Sequence, residues 1–300
     1  MARNVTYRLA LWLGVSAMLC EALYPKQVSI LVSSIDGISP SNLGINYPIA
    51  AVLFVGIFLL LRWGDFRGLL VDERGPRTAP LVRLAGIILS VSCLVFLPLL
   101  KSYENSISVA VLPVFLVFWG VSLVVNPSTL KMTLPYAGVL LAATLLVDPF
   151  TALVGGPLVG VASLFSRAIL GASGVHYSYS ALPAPQIQFT SRLGTGLSIN
   201  ITPYCSSLSS ISIFLLVIAL MHIDLGKEWS STTITAVLGT VALVLLNALR
   251  IAAIVWAGLV GGLELLTSLH EVIGYVLFVG FYGAAAFAYI RVGRPRNRLI

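Results

Sequence analysis

The chain has 300 residues, 58% of them hydrophobic and 10% charged, with a mean hydropathy of +0.99. Soluble domains carry about a quarter charged residues, so a water-soluble globule is excluded. The net charge of +7 does not point to nucleic acid, because the basic residues gather at the ends of apolar runs and so report membrane topology. Three cysteines are too few for a disulfide framework, and neither a CxxC or His/Cys cluster nor a phosphate-cradling glycine loop occurs. No cofactor or metal is expected.

The repeated long apolar runs predict an all-α polytopic membrane protein of about eight transmembrane helices. The opening stretch MARNVTYRLALWLGVSAMLCEALYP imitates a signal peptide but lacks a small-x-small cleavage site, so it is expected to remain as a first helix. The predicted spans are 9–23, 47–61, 81–100, 107–125, 134–147, 205–221, 233–259 and 271–289. Basic residues fall mostly on one side of this count: Arg3, Arg8, the group from Arg62 to Arg83, Lys131, Lys227 and the tail from Arg291 to Arg298. The other side has Lys26, Lys101, Arg167, Arg192 and Arg250. The positive-inside rule then puts both termini in the cytoplasm.

Residues 150–174, FTALVGGPLVGVASLFSRAILGASG, are apolar enough to cross as well. A crossing there carries the Arg-rich tail outside, so the expectation is a re-entrant or interfacial element interrupted at Gly155, Gly156 and Pro157. The next segment changes character. VHYSYSAL, QIQFTS and GLSINIT alternate apolar and polar residues with period two, separated by prolines and glycines. That pattern predicts a small β-hairpin or three-stranded cap on the extracytoplasmic side. Within a single integral membrane domain, residues 1–148 read as a helical scaffold and 149–204 as the interfacial element and cap. Residues 205–290 read as the chemically equipped helices, and 291–300 as a basic cytoplasmic tail.

Chemistry concentrates after the cap. Cys205 follows Pro203 in a Ser-rich turn at the start of an apolar run, whereas Cys20 and Cys93 lie inside apolar runs, where a thiol packs as a small hydrophobe. A helix N-terminus favours the thiolate, which is the nucleophilic form. Arg250 stands inside an apolar run, where a charge costs about 2.5 kcal/mol or more by insertion scales and commonly marks a site. The bland alternative is an arginine snorkelling to the interface. His270 precedes the last span, and on the predicted topology the three residues approach the same outer face. Asn247 lies three residues before Arg250 on the same helical face, placed to orient the guanidinium or bond a substrate; plain helix–helix hydrogen bonding is its alternative role. Ser206 and Ser209, beside the cysteine, are further substrate-orienting candidates. His222 falls at the opposite membrane face, and His176 lies in the cap as a reserve base. Glu264 and Glu271 are read as solvated interfacial carboxylates.

At CSSLSS, NALRI and HEVIG the chain resembles the exosortase/archaeosortase family of membrane-embedded cysteine transpeptidases, mainly over residues 175–289. The resemblance implies Cys205 as nucleophile, Arg250 as transition-state stabiliser and His270 as acid/base partner. It implies substrates that are secreted proteins ending in a short motif, a transmembrane helix and a basic tail. These are cleaved at the outer face of the cell membrane through a thioester, with transfer to a lipid or cell-surface acceptor where an amine intercepts the acyl-enzyme. Many members have glycine where Ser207 stands, and many bacterial ones have arginine where Ser209 stands; these departures bear on substrate subtype. Two other classes account for part of the pattern. A transporter or channel for an anionic solute explains Arg250 and the broken segments but not the thiol and imidazole. An assembly protein explains the cap alone.

Overall fold

The computed structural model describes residues 2–36, 47–65, 79–96, 107–181, 184–202 and 207–292. It divides into two compact units, Met1–Leu146 and Val147–Ile300.

The first unit is helical: α1 (Ala2–Leu23), α2 (Pro25–Asp36), α3 (Tyr47–Leu61), α4 (Ala79–Phe96) and α5 (Ile107–Val125). Pro25 explains the boundary between the first two, since it cannot continue α1 but fits the first position of a new helix. The hydropathy pattern alone does not separate α2. Asn126 then caps a short 3-10 turn, its side chain accepting from the Ser128 amide at 3.1 Å, and α6 (Leu130–Ala172) follows. Cys20, Cys93, Tyr24 and Val117 are buried together, as the packing role of these two cysteines requires. Here α4 and α5 meet backbone to backbone. A methyl group on Gly86 would stand 2.5 Å from the Gly120 carbonyl oxygen, so neither position has room for a side chain.

The second unit contains the later part of α6, a three-stranded antiparallel sheet and the helices after it. The sheet has the order β1 (Ser178–Ser180), β2 (Gln186–Thr190), β3 (Gly196–Asn200), as the period-two pattern predicted. Tyr179 pairs with Ile187, Ile187 with Ile199, and Phe189 with Leu197. In β2 the alternation is realised physically: Ile187 and Phe189 are buried while Gln188 and Thr190 are exposed. Ile187, Phe189 and Ile201 form a core with Val159, Ala162 and Leu170 of α6 and with Ile251 and Val255. The hairpin between β2 and β3 turns at Gly194, at φ +79°, and the Arg192 amide donates to the Leu259 carbonyl at 2.9 Å. Tyr177 donates to the Arg167 carbonyl at 3.2 Å, and the Arg167 guanidinium lies 4.3 Å over the Tyr179 ring. The cap is thus fastened to helices at both of its ends.

One expectation is corrected and another is met in part. Residues 150–172 are continuous helix through Gly155, Gly156 and Pro157, and Phe150–Ala172 is long and apolar enough to cross a membrane. Glycine and proline are tolerated in membrane helices because neighbouring groups re-satisfy the freed backbone. The count of eight spans is met only in part. Among the described residues four helices have the length and composition to cross: Phe150–Ala172, Leu208–Leu225, Trp229–His270 and Val272–Arg291. The first-unit segments Leu9–Leu23, Ala50–Leu61, Ala79–Val95 and Ala110–Val125 are apolar but shorter. At 1.5 Å per residue a 15-residue helix covers only ~22 Å of a ~30 Å hydrocarbon layer.

Candidate functional site

After the cap come α7 (Leu208–Leu225) and α8 (Trp229–Val292). Between them Gly226, at φ +58°, closes α7, and its amide donates to the His222 carbonyl at 3.0 Å. This is the left-handed helix stop that glycine adopts without a Cβ penalty. The long α8 is two helical arms divided at Gly262, whose φ of +68° and ψ of −154° lie in a region open essentially to glycine alone. The arms, 229–261 and 263–292, fold back on each other. Three bonds at increasing depth show this: Lys227 Nζ to the Ile290 carbonyl at 3.0 Å, Thr232 Oγ1 with the Tyr289 hydroxyl at 2.8 Å, and Arg250 Nη2 to the His270 carbonyl at 3.1 Å. The predicted loop of about ten residues between spans seven and eight is therefore one residue. His270 is not at a helix entrance; it lies eight residues into the second arm.

α7 packs on both arms. A methyl on Gly239 would overlap the Phe214 ring, so that glycine is the slot in the first arm that receives Phe214. Phe214 and Phe281 have ring centroids 5.5 Å apart, and Tyr282 donates to the Ser210 carbonyl at 3.0 Å. His222, Thr232 and Tyr289 meet at the far end of the three helical segments, which supplies a common level for counting. From that level Ser207 is ~22 Å up α7, Arg250 ~27 Å up the first arm and His270 ~28 Å up the second, at 1.5 Å per residue. All three approach one end.

The site residues now have surroundings. Asn247 is buried at 1% exposure, next to Ala248, whose carbonyl lies 3.5 Å from the buried Ser166 Oγ of α6. Arg250 and His270 are half-buried. The guanidinium of Arg250 reaches the backbone of the second arm, with its Cζ 5.9 Å from the centroid of the Phe278 ring. The guanidinium thus has an acceptor within the protein, where the snorkelling alternative requires an interface. The half-buried Ser209 stands in the first turn of α7. Cys205 and Ser206 lie outside the described residues. His222 is where the sequence placed it, at the opposite end, its Nδ1 2.8 Å from Thr232 Oγ1.

Ser207 is the feature sequence reasoning undervalued. It takes φ +74°, ψ −1°, the left-handed conformation, and is the one non-glycine residue with positive φ among the described residues. Its carbonyl accepts from the Ile211 amide at 2.8 Å, yet its buried Oγ has no hydrogen-bond partner among the described residues. The glycine that many relatives carry here was the available signal, because glycine adopts this conformation freely.

A cavity of about 930 Å³ opens between the cap and the first arm, lined by His176, Gln188, Arg192, Leu197, Trp256 and Leu259 among others. Neither Arg250 nor His270 belongs to that lining, so His176 is part of a separate concavity. No group of three or more His, Cys, Asp or Glu residues suited to a metal occurs among the described residues.

Comparison with known proteins returns one family. Residues 45–287, about four-fifths of the chain, match the description of the transmembrane exosortase. No curated protein and no solved structure matches the chain. With that coverage, and with the resemblance at CSSLSS, NALRI and HEVIG, the chain belongs to the transmembrane exosortase family.

Proposed function

We propose that this exosortase-family membrane protein is a cysteine transpeptidase or protease acting on the C-terminal sorting signals of exported proteins, with Cys205, Arg250 and His270 as its chemical groups. The observation that carries this reading is the bond from the Arg250 guanidinium to the His270 carbonyl. It brings the two arms together at the end of the bundle where α7 begins, three residues after Cys205.

The Cys205 thiolate attacks the carbonyl carbon of the scissile peptide, giving a tetrahedral oxyanion. Arg250 donates to that oxygen; in a water-poor site one such donor is worth roughly 3–4 kcal/mol. The C–N bond then breaks, and protonated His270 delivers its proton to the departing amine, leaving a thioester. An incoming amine or water gives its proton to His270 and attacks the thioester, and the thiolate leaves. An amine on a lipid or surface acceptor yields anchoring; water yields proteolysis. Asn247, Ser206 and Ser209 orient the guanidinium or the substrate backbone. The open edge of β3 offers an extended substrate a strand to pair with, a few residues before the nucleophile.

The site is assigned to the extracytoplasmic face of the cell membrane, with the C-terminal tail cytoplasmic. Support within the second unit is the charge distribution. Lys227 and Arg291 adjoin the far end and Arg294, Arg296 and Arg298 follow in sequence, whereas Arg192 is the basic residue of the cap that points the other way.

The test uses the host's own exported proteins that end in a transmembrane helix and a basic cluster, tagged and followed by immunoblot. Cys205→Ala and Cys205→Ser are expected to leave the full-length precursor unprocessed. Normal processing in either variant overturns the reading.

A further inference from the structure

We infer that Gly274 is a positioning residue for the reaction: it keeps open the lane through which Arg250 reaches the second arm. This rests on the transpeptidase reading above and adds a residue to it. In an α-helix the carbonyl of residue 270 is the acceptor for the amide of residue 274. The Arg250 guanidinium addresses the same carbonyl, donating through Nη2 at 3.1 Å. A second donor can reach an intrahelical carbonyl only from its flank, past the side chain one turn further on. At this position that residue is Gly274.

The clearance is visible in distances. A methyl placed on Gly274 would stand 3.0 Å from Arg250 Nε and 3.3 Å from both Cζ and Nη2, with the guanidinium supplying all three of its nearest atoms. Carbon normally needs about 3.5–4.0 Å from a heavy atom of this kind. The guanidinium is planar and donates in a fixed fork, so giving way by a few tenths of an ångström shifts the whole fork relative to its acceptor. The general alternative, a small residue that lets two helices approach, predicts contact with partner backbone. That is the situation at Gly86 and Gly120, where the nearest atoms include the opposing carbonyl oxygens. On the same arm as Gly274, a methyl added to Gly280 or Gly283 would meet nothing within 4 Å. Gly274 is therefore distinguished by the side chain it accommodates.

Displacing the guanidinium by a few tenths of an ångström moves the donor away from the oxyanion; a misplacement of ~1 Å costs about a hundredfold in rate. The experiment has two readouts on the full-length protein. First, precursor processing: Gly274→Ala is expected to slow it about tenfold, while Gly280→Ala and Gly283→Ala leave it at the wild-type rate. Second, thermal unfolding in detergent: Gly274→Ala is expected to lower Tm when Arg250 is present, and the loss is expected to vanish in an Arg250→Ala background, where the methyl finds room. Wild-type processing by Gly274→Ala, in cells where Cys205→Ala blocks processing, overturns this inference alone. So does a Tm loss of equal size with and without Arg250, which marks a purely structural glycine. Processing that survives Cys205→Ala overturns the parent reading, and the unfolding cycle still reports on the Gly274–Arg250 contact.

Discussion

The two ends of the bundle formed by α7 and the arms of α8 are built on opposite principles. At the far end His222, Thr232 and Tyr289 interlock through two bonds of 2.8 Å, Lys227 reaches the Ile290 carbonyl, and His222 lies 4.1 Å from Trp229 ring to ring. Side chains from all three segments fasten that end. At the other end a guanidinium leans on a backbone carbonyl, Ser207 is held in a left-handed conformation, and its buried hydroxyl has no partner among the described residues. Local rules are kept where the bundle is anchored and broken where the candidate chemistry gathers, as expected when strain is tolerated at a functional site.

That contrast can be tested by exchanging the effects. The largest is expected at the open end: Arg250→Lys should reduce precursor processing by a hundredfold or more, because a compact ammonium cannot copy the planar fork. Wild-type turnover in that variant removes the oxyanion role. At the fastened end Thr232→Val withdraws the hydroxyl that both His222 and Tyr289 address and should cost about 2 kcal/mol of stability, read as a fall in Tm. Processing per folded molecule should stay unchanged; a selective loss of rate there dissolves the contrast. The smallest effect is at Ser207. Replacing it by glycine relieves the left-handed backbone and the orphaned hydroxyl and should stabilise the protein by about 1 kcal/mol. A fall in Tm refutes the strain. Such a result also bears on the departure from the family pattern, since a backbone preference for glycine explains it without invoking substrate subtype.

Much of this was legible from residues. The helices at Tyr47–Leu61 and Ile107–Val125 have the bounds their apolar runs predict, and the cap follows from period-two alternation. Arg250 was conspicuous because a cation in an apolar run is expensive. Its acceptor was not, because every residue has a carbonyl and only the fold selects that of His270. The same ambiguity misled the reading of glycines. Gly155 and Gly156 with Pro157 looked like a break and are helix, while Gly262, within an apolar stretch, is the reversal of the chain. Composition tells where a backbone is able to bend; the partners packed against it decide whether it does. Gly274 stands in HEVIG with no role that its neighbours in sequence suggest, since a glycine reveals what it accommodates only beside its neighbour in space.

The reversal at Gly262 also constrains how the protein can be made. A one-residue turn leaves the arms no slack to enter the membrane at separate times and search for each other. An arm ending at residue 261 lacks the His270 carbonyl to which the Arg250 guanidinium donates. Arg250 gains this acceptor once residues through 270 have followed it, which favours entry of the two arms together as a hairpin. The contact proposed to equip the site thus also favours its delivery as a hairpin.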